Sequence, residues 1–358
     1  MTMKPNPMVI LTGPTAVGKT ALSIALAKKI NGAIISADSM QVYKYMDIGS
    51  AKIMPEEMDG VRHYLVDELD PSDEFHVVRF VEMAKQALKE ITANGQIPIV
   101  VGGTGFYIQA LLYDIDFTEQ ECDSAYRRQL EELAETRGNH YLHEMLKAVD
   151  PASAEAIHEN NRKRVIRALE FYHESGERIS EHNERESQKT SPYNFAYFVL
   201  NDDRKKLYRR IDARVDAMVK AGLVDEVARL QQMGCHADMV SMQGLGYKEI
   251  LAYLNGTSTL EEAIYIIKRE SRHFAKRQLT WFRRERDVIW LNKPDFEYDD
   301  TKILTYMMDV LQAKGICRHK REVQRYESVI TGTIRASGNF PGGKCIRGKN
   351  RSFLEAAF

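Results

Sequence analysis

Residues 13–20, Gly13-Pro14-Thr15-Ala16-Val17-Gly18-Lys19-Thr20, fit the pattern G-x-x-x-x-G-K-[ST] and lie between an apolar run, 8–11, and a helical pattern that begins at Ala21. Few folds accommodate such a junction. The glycines let backbone N–H groups turn inward around an anion at a helix N-terminus, Lys19 neutralises it, and the Thr20 hydroxyl is available to Mg²⁺. The motif predicts a phosphate-binding P-loop and a ligand with two or more linked phosphates. It does not say what the phosphates are attached to, or whether they are transferred, hydrolysed or expelled.

Strand and helix signals then alternate. Buried strands are expected at 9–11, 33–37 and 97–101, with helices at 19–30 and 77–91, which predicts a P-loop NTPase-like α/β core, a parallel sheet flanked by helices. Ligands of such sheets lie beyond the carboxyl ends of the strands, where Gly13, Asp38 and Thr104 fall. From 115 to 192 the sequence becomes charged and helical, with helices expected at 123–135, 141–149 and 162–174. Strand signals return at 195–200 and 288–291, separated by long helices at 205–233 and 260–284. The expected organisation is a discontinuous core, 1–114 with 193–313, an α-helical insertion at 115–192, and a basic, glycine-rich, flexible tail at 314–358.

Composition narrows the setting. The net charge of the 358 residues is −1, so contact with a nucleic acid must come from local basic clusters. Cys122, Cys235, Cys317 and Cys345 form no C-x-x-C pair, which suits a reducing compartment and offers no zinc framework. The first seven residues are too short and polar for a signal peptide, and no apolar run approaches the ~18 residues of a membrane span. A cytoplasmic, monomeric protein without membrane contact is expected.

Asp38 ends the second strand and is either a metal ligand, a general base or a turn cap. The third strand runs into Gly102-Gly103 where a Walker-B strand would end in an acid, which tells against simple NTP hydrolysis and leaves Asp38 as the best available acid–base group. Thr104, in Gly102-Gly103-Thr104-Gly105-Phe106-Tyr107, could donate to a bridging oxygen. Arg210 and Arg214 stand one helical turn apart and could both reach a pyrophosphate or both face solvent. In the helix near 264–284, Arg269, Arg272, Lys276 and Arg283 are expected to form a basic ridge, with Ile267, Phe274 and Trp281 packed on the far side. Arg162, Lys163, Arg164 and Arg167 form a second basic cluster, and Arg127 with Arg128 a third.

These motifs, with Asp38-Ser39-Met40-Gln41-Val42-Tyr43, Asp47-Ile48-Gly49-Ser50-Ala51-Lys52, Arg167-Ala168-Leu169-Glu170, Gly244-Leu245-Gly246-Tyr247-Lys248 and Lys276-Arg277-Gln278-Leu279-Thr280-Trp281-Phe282-Arg283, occur in the order found in the tRNA dimethylallyltransferase (tRNA isopentenyltransferase) family, which this chain resembles from about residue 8 to 312. Ser50 stands where threonine is common, and the tail resembles neither the bacterial pattern nor the zinc finger of eukaryotic relatives. The resemblance implies transfer of a dimethylallyl group from dimethylallyl diphosphate to N6 of adenosine 37 in the tRNA anticodon stem-loop. It implies diphosphate held by Gly13, Pro14, Thr15, Ala16, Val17, Gly18, Lys19 and Thr20, with Mg²⁺ on Thr20, and catalysis by Asp38, Thr104 and Arg214. It implies tRNA contacts from Asp38, Ser39, Met40, Gln41, Thr104, Arg127, Lys163, Arg164, Arg167, Gln243, Gly244, Gly246, Lys248, Lys276, Arg277 and Arg283. A P-loop small-molecule kinase would share the sheet but lacks a clear arginine-rich lid here. An adenylate dimethylallyltransferase would have no use for the insertion or the basic helix, and a non-enzymatic RNA-binding module would leave the P-loop and Asp38 idle.

Overall fold

Strands that are apolar on both faces are stable only in a sheet covered on both sides. The computed structural model, which describes residues 6–115 and 124–317, assembles such strands, with shorter or half-buried ones at the edges, into a set of six: β1 (Pro7–Thr12), β2 (Gly32–Ala37), β3 (His63–Tyr64), β4 (Ile97–Gly102), β5 (Asn194–Asn201) and β6 (Val288–Asn292). They form one sheet in the order β3-β2-β4-β1-β5-β6 with every neighbouring pair parallel. β1 is therefore central, and Gly102 of β4 is in register with both Thr12 and Ala37. That register brings the loops after β1, β2 and β4 to one edge.

The helices in chain order are α1 (Lys19–Ile30), α2 (Val77–Ala93), α3 (Gly105–Leu112), α4 (Ser124–Val149), α5 (Pro151–Ala156), α6 (Arg162–Ser175), α7 (Ile179–Ser187), α8 (Arg204–Lys220), α9 (Leu223–Gln232), α10 (Tyr247–Leu254), α11 (Leu260–Phe282) and α12 (Asp300–Ala313). Strand alternation sends Val9, Leu11, Ile99, Phe198 and Leu200 to one face, where they pack with Leu22 and Leu26 of α1 and Ile303, Met307 and Leu311 of α12. Met8, Ile10, Ile35 and Val199 alternate with them, equally buried. α2 packs on β2 and β4. Among the described residues no helix is long and apolar enough to cross a membrane.

Two expectations require correction. The helix expected at 205–233 is two, α8 and α9, because the chain turns at Ala221-Gly222, where Gly222 takes φ 101; a left-handed glycine ends a helix whatever the apolar period on either side. The packed face of α11 is Ala263, Ile267, Ala275, Gln278 and Phe282, while Phe274 is 39% exposed. Sevenfold spacing lags a 3.6-residue helix by about 20° per repeat, so a series keyed on Ile267 leaves the centre of the buried face: Phe274 is exposed, Trp281 stays half-buried against Gly105, and Gln278 enters the face.

Leu112–Pro192 forms a second compact unit. Its helix α4 is interrupted at Gly138 (φ 83). Leu130, Leu142, Leu146, Val165 and Leu169 build a separate core. Asp150 caps α5 and accepts hydrogen bonds from the backbone N–H and hydroxyl of both Ser153 and Ser180. Burial pushes that carboxyl up, but the four bonds outweigh it and hold it below the usual range. The tail at 318–358 and Cys122 lie outside the described residues.

Candidate active site

The P-loop is shaped by two close approaches. Gly13 takes φ 146, and a Cβ there would stand 2.3 Å from the Leu200 carbonyl oxygen, so no other residue fits beside β5. Gly18 cannot cap α1 with a side chain, and the first turn of α1 carries no acidic residue. The free amides and the positive end of the helix dipole are left for an external anion. Lys19 Nζ donates to the carbonyls of Gly13 and Pro14, both at 2.9 Å, which folds the lysine over its own loop. Burial lowers its ammonium from the ordinary value to about 8, opposed by the Asp38 carboxylate and reinforced by the Arg214 guanidinium. Thr20 is exposed.

Next to the loop lies a cavity of about 450 Å³ whose wall includes Thr15, Ala16, Asp38, Thr104 and Arg214. The three residues proposed for catalysis thus meet in one space. Asp38 Oδ1 accepts from the N–H of Met40 at 2.8 Å and of Gln41 at 3.4 Å, so the carboxylate is a turn cap as well as a cavity group. Thr104 N–H donates to the Ala37 carbonyl, at 3.3 Å, which ties the loop after β4 to the end of β2.

The two arginines of α8 separate. Arg210 donates to the Ala16 carbonyl at 3.0 Å and to the buried carboxylate of Asp202, a structural pairing that braces the P-loop from behind. Arg214 Nη1 donates to Thr15 Oγ1 at 3.4 Å and faces the cavity. Burial lowers the Arg214 pKa and Asp38 opposes this; the guanidinium stays charged. Ile211, Val215 and Met218, on the same helix, give the cavity an apolar wall.

Helix α11 closes the other side, with Phe274, Arg277 and Gln278 on the cavity. Gln278 is buried; its Oε1 accepts the Thr15 N–H at 2.9 Å and its Nε2 donates to the Gly103 carbonyl at 3.0 Å. A Cβ on Gly103 would meet Nε2 at 2.1 Å, and one on Gly105 would meet the Trp281 ring at 2.2 Å. The glycines after β4 are thus the space into which α11 packs.

Sequence reasoning missed Gln278 and a second anchor. Glu226 of α9, buried, accepts from the N–H of Asp47, Ile48 and Gly49 at 2.9, 2.7 and 3.0 Å and from the Tyr247 hydroxyl at 2.8 Å. Desolvation, then the Glu226 carboxylate, raises the Tyr247 pKa far above its ordinary value. Buried Lys52 completes the bracing of this loop with bonds to the Tyr43 carbonyl, Asp47 and Asp67 at 2.6, 2.6 and 2.7 Å. Only the recurrence of Asp47-Ile48-Gly49-Ser50-Ala51-Lys52 as a motif hinted at this loop.

Of the residues expected to touch RNA, Ser39, Met40, Gln243, Gly244, Gly246, Lys248 and Arg277 line the cavity with Asp38 and Thr104. Gln41 instead bonds inward, to Ser36 Oγ at 3.4 Å and the Ala51 carbonyl at 3.1 Å. Lys276 and Arg283 are exposed, whereas Arg272 pairs with Asp212 and Arg269 with Glu270, which thins the expected ridge. Arg127, Lys163, Arg164 and Arg167 belong to the helical unit. There Arg127 is held bidentately by the buried Glu170, with both bonds at 2.7 Å.

The model of the IPP transferase family matches residues 41–285. The chain is 62% identical over 313 residues to the tRNA dimethylallyltransferase of Lachnoclostridium phytofermentans, spanning 87% of this chain and 100% of that one. It is 51% identical over 310 residues to that of Acetivibrio thermocellus, spanning 86% and 98%. Among solved structures, the tRNA isopentenylpyrophosphate transferase of Bacillus halodurans aligns with TM-score 0.65 and 45% identity, over 86% of this chain and 98% of its own. A eukaryotic dimethylallyltransferase captured acting on tRNA aligns with TM-score 0.72 and 30% identity, over 84% and 77%. A phosphate loop facing a carboxylate across a half-apolar cavity agrees with these likenesses, and the chain belongs to the tRNA dimethylallyltransferase (IPP transferase) family.

Proposed function

We propose that this chain transfers the dimethylallyl group of dimethylallyl diphosphate to N6 of the adenosine on the 3′ side of the anticodon in tRNA and releases diphosphate. The observation that carries this reading is the shared cavity of Thr15, Asp38, Thr104 and Arg214 with the apolar face of α8. It offers a charged end for a diphosphate, an apolar wall for a five-carbon fragment and a carboxylate in the same space.

In the reaction the bond from N6 to the allylic carbon forms as the bond from that carbon to the bridging oxygen breaks. Negative charge collects on the departing diphosphate, where the α1 amides, Lys19 and Arg214 stabilise it. The exocyclic amine is a weak nucleophile because its lone pair is delocalised, and it becomes cationic on attack unless its proton leaves. Asp38 takes that proton. Thr104 orients the bridging oxygen or the amine. No phosphoryl group moves.

Mg²⁺ fits the residues present in a limited way. Among the described residues no cluster of three or more His, Cys, Asp or Glu could hold a metal, but Thr20 is exposed at the start of α1. Mg²⁺ commonly arrives with phosphate oxygens and keeps several waters, so one hydroxyl suffices. When bound, it would add positive charge to the leaving group. The adenosine must leave its stack to enter the cavity, and recognition would rest on loop shape and phosphates. Residues 115–192 serve as a tRNA-binding insertion in this reading, through Arg127, Lys163, Arg164 and Arg167, and the protein works as a cytoplasmic monomer. Incubation with labelled dimethylallyl diphosphate, Mg²⁺ and either tRNA or AMP tests the acceptor. Label should enter tRNA; label in AMP alone would transfer the chain to the free-nucleotide class.

A further inference from the structure

We infer that Gln278 is a positioning residue for the transfer step: its single side-chain amide fixes the P-loop against the loop that carries Thr104. This role rests on the transfer reaction proposed above. The two loops follow different strands, and Gln278 lies 263 residues from Thr15 and 175 from Gly103 in sequence. Its Oε1 takes the Thr15 N–H and its Nε2 gives to the Gly103 carbonyl. A planar amide satisfies both partners in only one orientation, because the reversed one sets N–H against N–H and oxygen against oxygen. Rotation is thereby excluded, and the side chain is buried where it makes both bonds.

Each bond restrains a group next to the chemistry. Holding the Thr15 N–H removes it from the donors open to phosphate and fixes the peptide beside the Thr15 hydroxyl that Arg214 contacts. Holding the Gly103 carbonyl fixes the peptide that leads into Thr104. The leaving-group side and the acceptor side of the reaction are thus set by one amide, and a displacement of about 1 Å between them is worth about 10²-fold in rate. Gly103 belongs to the same device, since any Cβ there would expel Nε2.

The test uses the full-length protein with dimethylallyl diphosphate and tRNA, measuring single-turnover transfer, pyrophosphate affinity and thermal melting together. Gln278→Met, nearly isosteric and without either bond, should slow transfer by about 10- to 100-fold while pyrophosphate affinity changes less than about threefold. Gln278→Glu keeps the acceptor for Thr15 but sets a carboxylate oxygen against the Gly103 carbonyl; once protonated, the acid regains a donor. Its transfer rate relative to wild type should therefore recover as pH falls, and that of Gln278→Met should not. Gly103→Ala displaces the amide from the opposite side and provides the reading if Gln278→Met fails to fold; combined with Gln278→Glu at high pH it should slow transfer no further than either change alone. Folded Gln278→Met or Gly103→Ala with wild-type transfer, a flat relative pH profile for Gln278→Glu, or additive losses would overturn the inference. Absence of transfer by the wild-type protein would instead overturn the reaction on which it rests.

Discussion

Asp38 has two jobs in this structure, and a pair of substitutions separates them. Its Oδ1 caps the turn that follows β2 through the N–H groups of Met40 and Gln41, while its charge is felt by Lys19 and Arg214 across the cavity. Asp38→Ala removes both. Asp38→Asn keeps an oxygen for the turn and removes the base. Loss of a general base slows a reaction about 10²- to 10⁴-fold, or ~3–5 kcal/mol of activation free energy. Loss of a cap costs about 1 kcal/mol of stability, a shift of about 2–4 °C in melting for a domain of this size. Single-turnover transfer to tRNA at saturating donor should therefore fall at least about 10²-fold in both variants, whereas only Asp38→Ala should melt earlier. Pyrophosphate should bind both at least as well as wild type, because a repelling negative charge has gone. An Asp38→Asn protein that transfers at near wild-type rate would reduce Asp38 to a cap and remove it from the mechanism.

Three further outcomes are expected. Because free Lys19 loses its proton near pH 8 and an adjacent diphosphate favours the charged form, donor binding must take up a proton above that pH. Affinity should fall by up to about tenfold per pH unit there, checked by calorimetry in buffers of different ionisation enthalpy; pH-independent affinity would contradict the burial of Lys19. Neutralising Lys276 and Arg283 should weaken tRNA binding and flatten its log–log salt dependence by about 0.7 for each single-strand phosphate no longer neutralised, with donor affinity and melting unchanged. An unaltered slope would take this face of α11 out of the RNA interface. Glu226→Gln should destabilise the protein by about 2–4 kcal/mol in urea unfolding, since a carboxylate with four donors becomes an amide facing N–H groups; a change under about 0.5 kcal/mol would show that the loop at 47–50 does not depend on it.

What could be read in the sequence followed from chain direction. Apolar runs ending at Thr12, Ala37 and Gly102 deliver whatever follows them to one sheet edge, so Asp38 and Thr104 were legible as neighbours of the P-loop from their positions in the chain. Periodicity was a poorer guide to helix ends and faces. Gly222 sits inside a stretch whose apolar spacing continues across it, and only its left-handed backbone separates α8 from α9. Gln278 reads as a surface residue in any polar–apolar pattern, yet it belongs to the buried stripe of α11 because two backbone groups satisfy it. The available signal lay elsewhere, in Gly102-Gly103 and Gly105, whose missing side chains report a close neighbour without naming it. Arg210 and Arg214 were indistinguishable by spacing; the buried carboxylate of Asp202, fixed just after β5, decides which of them is structural.

The central claim is that the allylic carbon moves to a tRNA adenosine while the diphosphate departs whole. Dimethylallyl diphosphate carrying ¹⁸O at its bridging position, incubated with the protein, Mg²⁺ and tRNA, tests it through mass spectrometry of both products. All of the ¹⁸O should leave with the released diphosphate, and the adenosine 3′ of the anticodon should gain one dimethylallyl group per diphosphate formed. Unmodified tRNA, a phosphorylated product, or ¹⁸O retained on the five-carbon fragment would contradict it.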